Sequence, residues 1–197
     1  MTALPRLILA STSTYRRELL GRLSVPFECM SPGVDERERP DESPVGRAER
    51  LSIEKARAIA SQVSDALVIG SDQVAVLDGV IADKPLSHEN ARNQLRRASG
   101  RAMQLHSGVA VVDSRNGATS ARVETCTVHF RLLSEATIEA YLQAERPYDC
   151  AGSARVEALG IALMSRVETH DPSAIIGLPL IALVDMLAQH GLAVLPR

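Results

Sequence analysis

Short apolar runs alternate with amphipathic segments along the chain, and this alternation predicts strands and helices in turn. Continuous apolar runs are typical of strands buried on both faces, whereas apolar residues three and four positions apart indicate helices. The predicted strands cover 7–9, 27–30, 66–70, 74–77, 80–82, 104–112, 121–130 and 161–164. The predicted helices cover about 15–23, 44–63, 87–99, 134–144 and 180–189. This order favours an α/β fold with a two-lobed mixed β-sheet, flanking helices and a central cleft.

A hairpin in the middle of the chain is the first candidate for a functional site. Asp78-Gly79 predicts a tight turn, after which the chain returns antiparallel and brings Lys84 near Asp72. The polar segment Ser71-Asp72-Gln73 separates two apolar runs, which predicts a strand interrupted at a site. An isolated aspartate is more often a cap or turn residue, but a lysine arriving opposite it favours a functional role.

The use of lysine is unusually restricted. Of the 22 basic residues, all but Lys55 and Lys84 are arginine. A lysine ammonium is a compact, rotatable point charge that fits against a phosphate oxygen where the planar guanidinium is too broad. Lys55 shares a helical row with Leu51 and Ile59, so its charge is aimed towards the inward stripe. The alternative is that Lys55 snorkels at the edge of that stripe and that both lysines are solvated.

Polar loops supply further groups suited to phosphate and metal. The hydroxyl-rich turn 11–14 precedes a helix, and the N–H groups at a helix N-terminus favour phosphate, although ordinary capping uses the same residues. The carboxylates of Glu36 and Asp72 are hard oxygen ligands for a divalent cation such as Mg²⁺ or Mn²⁺. The cations Arg16, Lys55 and Lys84 would neutralise the remaining phosphate charge. Together these residues indicate a site for a polyphosphate bound through a divalent metal.

Composition excludes several other classes of protein. The net charge of −2 has its signs interspersed, so no nucleic-acid-binding surface is indicated. The apolar segments are too short or too interrupted to enter a membrane. Three cysteines without a C-x-x-C pair fit reduced thiols, which predicts a cytoplasmic protein. The histidines lack zinc-ligand spacing, and the common P-loop, hydrolase-elbow and kinase motifs are absent from the sequence.

Seven ordered motifs resemble those of the Maf family of nucleotide pyrophosphatases and together span nearly the whole chain. They are 9–17 (LASTSTYRR), 34–36 (VDE), 54–56 (EKA), 70–73 (GSDQ), 84–85 (KP), 151–153 (AGS) and 177–179 (GLP). Two positions depart from the family pattern: Thr14 stands where proline is common, and Asp83 stands where glycine is usual. The negative charge of Asp83 would lower the positive potential beside Lys84.

The resemblance implies a single domain over 1–197 that hydrolyses a nucleoside triphosphate to the monophosphate and pyrophosphate, usually as a homodimer. It also implies a divalent cofactor, either Mg²⁺, Mn²⁺ or Co²⁺. The roles that it implies are Asp72 as proton acceptor, Glu36 with Asp72 as metal ligands, and a phosphate-binding set made of Ser11, Arg16, Lys55 and Lys84.

Within the family, three other residues resemble those of the subgroup that acts on 7-methyl-GTP. They are Tyr15, Gln73 and Glu157. A 7-methylated guanine carries a delocalised positive charge, which an aromatic face attracts and a carboxylate complements. The plainer interpretations are that Tyr15 packs at a helix start and that Glu157 is a solvated charge. The alternatives in function are a dTTP/UTP pyrophosphatase and a nucleotide-binding regulator of septum formation.

Overall fold

The computed structural model describes residues 5–195, and its elements follow the predicted alternation closely. The strands are β1 (Arg6–Ala10), β2 (Glu28–Met30), β3 (Ala66–Leu77), β4 (Val80–Ile81), β5 (Ala102–Asp113), β6 (Thr119–Phe130) and β7 (Met164–Glu168). The α-helices are α1 (Thr14–Gly21), α2 (Pro44–Ala60), α3 (His88–Ala98), α4 (Glu135–Glu145) and α5 (Leu180–Gln189). Short 3-10 turns cover Ala151–Ser153, Leu159–Leu163 and Pro172–Ile176.

The chain divides into two compact units, which we call unit 1 and unit 2. Unit 1 contains residues 5–72, Ser107–Glu124 and 171–195. Unit 2 contains Gln73–His106 and Thr125–His170. The strands β3, β5 and β6 each begin in one unit and end in the other. The mixed α/β fold with two lobes is therefore confirmed, while the cleft and the single domain stay predictions.

At the centre of unit 1 lie two parallel strands, β1 and β3, that are almost entirely buried. β1 pairs in parallel with β2 and with β3, and the order continues through β5 to β6. Alternate strand residues serve two clusters, since successive side chains point to opposite faces. One cluster joins Leu67 and Ile69 of β3 to residues of α1 and α5. The other joins Val68 of β3 to Ala56 and Ile59 of α2.

Unit 2 combines two hairpin-like pairings with α3 and α4. β4 returns antiparallel to β3 with Leu77 opposite Val80, which confirms the predicted turn at 78–79. β7 pairs antiparallel with β6. Arg96 of α3 donates to Glu135 at the start of α4, at 2.6 Å. The hydroxyls of Ser87 and Ser134 cap these two helices.

Two strand predictions are wrong. β3 runs unbroken through the polar segment 71–73, because Ser71 and Asp72 find partners on opposite faces of the sheet. The segment 161–164 is not a strand: a 3-10 turn covers Leu159–Leu163, and β7 begins only at Met164. A Cβ on Gly160 would lie 2.4 Å from the Arg155 carbonyl oxygen, so the chain is tightly folded back just before β7.

Two further observations concern the whole described region. Within residues 5–195, none of the helices combines the length and apolar character needed to cross a bilayer. Cys29, Cys126 and Cys150 are all free thiols.

Candidate active site

Two glycines allow helix α2 to lie directly against the sheet of unit 1. A Cβ on Gly70 would lie 2.0 Å from the Ser52 carbonyl oxygen, and one on Gly108 would lie 2.2 Å from the Ala48 carbonyl oxygen. Neither position accepts a side chain without a shift of backbone. The main chains of α2, β3 and β5 are therefore in contact. Since residues i and i+2 of a strand share a face, Asp72 follows Gly70 on the side that α2 covers.

Lys55 of α2 lies between two carboxylates. Its Nζ is 2.6 Å from Asp72 Oδ1 and 2.7 Å from Glu36 Oε1. The side chains of Lys55 and Asp72 are 6% and 11% exposed, whereas that of Glu36 is 57% exposed. Lys55 thus points inwards, as its helical row predicts, and does not snorkel to solvent. The Lys55 ammonium thus links helix α2, strand β3 and the loop that carries Glu36.

The same two carboxylates are the groups that could hold a divalent cation. Both accept from the same ammonium, so the two carboxylates lie on one side of the site and near each other. Among residues 5–195 no cluster of three or more histidine, cysteine, aspartate or glutamate side chains has metal-binding geometry. A pair of carboxylates fits Mg²⁺-like binding, in which the remaining positions go to water and substrate phosphates.

The turn between β1 and α1 is arranged by its own hydroxyls. Ser11 is buried, and its Oγ accepts a hydrogen bond from the Ser13 N–H at 3.1 Å. Ser13 is the N-cap of α1 and accepts from the Arg16 N–H. These bonds fix the N-terminus of α1, where its dipole favours an anion. Tyr15 lies in the first turn of the helix and is half-buried.

Arg16 shares its electrostatic environment with the two carboxylates. Its Nε donates to the Gly177 carbonyl oxygen at 3.0 Å. Burial lowers the pKa of Arg16, while the negative charges of Asp72 and Glu36 raise it. The guanidinium stays charged, because an arginine pKa begins so far above neutrality. Unit 1 therefore brings together Arg16, Glu36, Lys55 and Asp72 from the predicted set, and it also contains Ser11.

Three predicted residues belong to unit 2. Gln73 directly follows Asp72 on β3 and is half-buried. Lys84 is exposed and lines an open depression with residues of α3 that include Asn93 and Arg97. The antiparallel pairing ends at Ile81, short of Lys84, so the approach of Lys84 to Asp72 stays a prediction.

Glu157, the third of these residues, lies in a partly desolvated position. Its side chain is 25% exposed, and its Oε1 is 3.9 Å from Arg155 Nε. Burial raises the pKa of Glu157, and the charge of Arg155 only partly opposes this. The neighbouring Cys150 thiol has its pKa raised to about 12, mainly by burial. Cys150 is therefore protonated at neutral pH and is no nucleophile.

The nearby loop 150–153 is packed closely against Met103. Gly152 has a φ of +70°, and a Cβ there would lie 2.5 Å from Met103 Sδ. Glycine is needed at this position for the backbone conformation and for the methionine.

The sequence predicted no role for two polar residues near these segments, Ser71 and Gln94. Ser71 is fully buried, and its hydroxyl donates towards the Gly177 and Gly108 carbonyl oxygens, at 2.6 and 2.8 Å. Gln94 of α3 donates to the Asp83 carbonyl at 2.9 Å and accepts from the Ser153 hydroxyl. Gln94 thereby ties the loop before Lys84 to the loop 151–153. The only available signal was that the partners Asp83, Ser153 and Gly177 fall in or beside quoted motifs.

Comparisons with known proteins give consistent similarities. The family model described as "Maf-like protein" matches residues 6–190. The protein named "7-methyl-GTP pyrophosphatase" from Thiobacillus denitrificans is 55% identical over 191 residues, covering 97% of this chain and 95% of that protein. The protein of the same name from Bordetella pertussis is 55% identical over 188 residues, covering 95% of this chain and 94% of that protein. Among solved structures, the Staphylococcus aureus Ham1 protein matches 64% of this chain and 71% of its own, with 16% identity and a TM-score of 0.46.

Proposed function

Because the chain belongs to the Maf-like protein family, we propose that it is a nucleoside triphosphate pyrophosphatase whose substrate is 7-methyl-GTP. The products are 7-methyl-GMP and pyrophosphate. The name shared by relatives 55% identical to nearly the full chain supports this substrate. The observation that carries the proposal is the Lys55 ammonium, 2.6 Å from Asp72 and 2.7 Å from Glu36, two carboxylates whose charges also act on Arg16 of α1 in the same unit.

The proposed chemistry uses Asp72 as the proton acceptor. Water attacks the α-phosphorus, and the bond from that phosphorus to the oxygen bridging to the β-phosphorus breaks. The proton of the attacking water passes to an Asp72 carboxylate oxygen, and pyrophosphate leaves with the bridging oxygen. Lys55 holds the carboxylate in a single orientation through a charge-assisted hydrogen bond.

Charge neutralisation is the other requirement of the reaction, since a triphosphate would otherwise be repelled by Asp72 and Glu36. Lys55, Arg16 and the N-terminus of α1 supply positive potential in unit 1, and Ser11 fixes the turn that leads to this N-terminus. Lys84 is assigned a phosphate role by the family resemblance. We propose that Glu36 and Asp72 hold a divalent ion, Mg²⁺, Mn²⁺ or Co²⁺, which neutralises phosphate charge when bound.

Selectivity for the methylated base is assigned to Tyr15, Gln73 and Glu157. An aromatic face stabilises a cationic ring by about 0.5 to 2 kcal/mol, depending on desolvation. The Glu157 carboxylate can accept from the guanine N–H edge and complement the same charge. A pyrimidine has neither the positive ring nor that edge, so these groups favour 7-methyl-GTP over dTTP or UTP.

The assembly and the compartment are further parts of the proposal. The family resemblance supports a homodimer, and the free thiols support a reducing compartment such as the cytoplasm. Light scattering coupled to gel filtration tests the first, with a monomer mass as the contrary result. Imaging of a tagged full-length chain in its host tests the second.

The deciding experiment is a panel of nucleoside triphosphates assayed with Mg²⁺, Mn²⁺ and Co²⁺ in turn, with products separated by chromatography. We expect 7-methyl-GTP to give the highest kcat/KM and to yield monophosphate and pyrophosphate. Faster hydrolysis of dTTP or UTP would assign the chain to the other branch of the family. Binding without hydrolysis of any nucleotide would favour the septum-regulator alternative.

A pair of variants separates catalysis from folding. Asp72→Asn should abolish turnover and leave nucleotide binding measurable, because the amide keeps the shape but accepts no proton. Asp113→Asn is a matched control, since Asp113 is also a buried carboxylate of unit 1 and pairs with Arg115 at 2.6 Å. Equal loss of turnover in both variants would contradict the role of Asp72.

A further inference from the structure

Ser71 immediately precedes Asp72, but its side chain points to the other face of β3. Leu67 and Ile69 lie on that face with residues of α1 and α5. The Ser71 hydroxyl has a single proton to donate, and its Oγ lies 2.6 Å from the Gly177 carbonyl oxygen and 2.8 Å from that of Gly108. Ser71 is fully buried, so its role lies in these bonds within unit 1.

The Gly177 carbonyl oxygen receives a second donor. Arg16 Nε donates to it at 3.0 Å, so the hydroxyl of β3 and the guanidinium of α1 share one acceptor. A carbonyl oxygen has two lone pairs and can serve both donors at once. Gly177 itself has a φ of +106°, in the left-handed region, and ends the 3-10 turn Pro172–Ile176.

The other end of this turn is held separately. Asp171 caps it by accepting from the Ser173 N–H at 3.0 Å, and its second oxygen accepts from the Ile181 N–H at 2.8 Å. On β5, the buried Ser107 hydroxyl donates to the Ala174 carbonyl at 2.6 Å. Thus two strand serines hold the same turn, but only Ser71 bonds to the carbonyl that Arg16 uses.

We propose that Ser71 is a positioning residue for the phosphate-binding Arg16. Its hydroxyl fixes the Gly177 carbonyl, and that carbonyl fixes the direction of Arg16 Nε. The guanidinium plane is rigid, so fixing Nε orients the rest of the group within the field of Asp72 and Glu36. The inference rests on the proposed function, which gives Arg16 its phosphate-binding role.

A double-mutant cycle tests this coupling with the nucleotide that the panel identifies. We expect Ser71→Ala to lower kcat/KM about tenfold or more, since a misdirected charged donor is lost from the transition state. In the Arg16→Ala background, the same Ser71→Ala change should alter kcat/KM by less than about twofold. An equal loss in both backgrounds would show a merely structural serine and overturn the proposal.

Ser107→Ala is the matched control. It removes a buried hydroxyl that bonds to the same turn at the same donor–acceptor distance of 2.6 Å. We expect it to lower the melting temperature as Ser71→Ala does and to leave kcat/KM within about twofold of wild type. If Ser71→Ala does not fold, Ser71→Cys replaces it, because a thiol is a weaker donor and should give an intermediate loss. Wild-type kcat/KM in Ser71→Cys would then contradict the proposal.

A second readout does not depend on turnover. In protein labelled with ¹⁵N-arginine, Arg16→Lys identifies the Arg16 Nε–H resonance, and its exchange with solvent is then measured without nucleotide. We expect slow exchange in wild type and Ser107→Ala, and fast exchange in Ser71→Ala. Unchanged exchange in Ser71→Ala would overturn the inference even if the enzyme is active. Conversely, a wild-type protein that hydrolyses no nucleotide but shows the expected exchange would refute only the proposed function.

Discussion

Replacing Lys55 by methionine should destabilise the protein strongly, because it leaves a carboxylate buried without its partner. Methionine keeps the length of the side chain but removes the ammonium that lies 2.6 Å from Asp72 Oδ1. Breaking a buried ion pair from one side costs about 3 to 5 kcal/mol. The lower end, about 3 kcal/mol, applies here, since Arg16 also acts on Asp72 and Glu36 is 57% exposed. For a chain of this length, that corresponds to a fall in melting temperature of about 6–12 °C.

The assay is urea unfolding and thermal melting of three variants beside wild type. Asp72→Asn should be milder than Lys55→Met, because the ammonium keeps Glu36 as a partner and the amide oxygen still accepts. In Lys55→Met/Asp72→Leu both buried charges are gone, and most of the lost stability should return although the enzyme is inactive. A double variant that is no more stable than Lys55→Met, or a melting temperature of Lys55→Met within about 2 °C of wild type, would refute the reasoning.

Three further changes have expected outcomes. Gly70→Ala should lower the melting temperature and abolish hydrolysis, because its Cβ would lie 2.0 Å from the Ser52 carbonyl oxygen. The control is Gly21→Ala, which has open space around it and should change neither the melting temperature nor hydrolysis. An active Gly70→Ala enzyme would contradict the close approach of α2. Glu157→Gln should raise the melting temperature at pH 7, since burial raises the folded-state pKa of Glu157 above its ordinary 4.5 and stability therefore falls as the group ionises. That gain should vanish below about pH 4, where both states are protonated, and a gain that persists there would show another cause. Lys84→Arg should lower kcat/KM although the charge is kept, because the guanidinium is broader than an ammonium; an unchanged value would remove the argument from lysine usage.

The local pattern of apolar and polar residues was sufficient to predict those elements whose signal lies within a few residues of one another. The run 66–70 reads as a buried strand because both of its faces are covered by apolar clusters. Lys55 could be placed inwards because Leu51 and Ile59, on its own helical row, are both buried. The serine caps of α1, α3 and α4 were visible because a cap depends on neighbours three residues away.

What could not be predicted depends on partners remote in sequence. Ser71 looked like a break in a strand because its acceptors, at 108 and 177, are 37 and 106 residues away. The need for glycine at 152 comes from Met103, a neighbour remote in sequence. The apolar run 161–164 predicts a strand, because hydrophobicity alone does not distinguish a tight 3-10 turn from an extended segment.

The contact of α2 with Gly70 and Gly108 also bears on how this protein could be redesigned. The spacing between Lys55 and Asp72 depends on main chains that touch, in addition to the apolar packing of Ala56 and Ile59 on β3. Thermostability and chemistry should therefore be separable traits in laboratory evolution. A library that varies the apolar residues of α4 in unit 2 can search for heat resistance while the contact of α2 with the two glycines of unit 1 is kept.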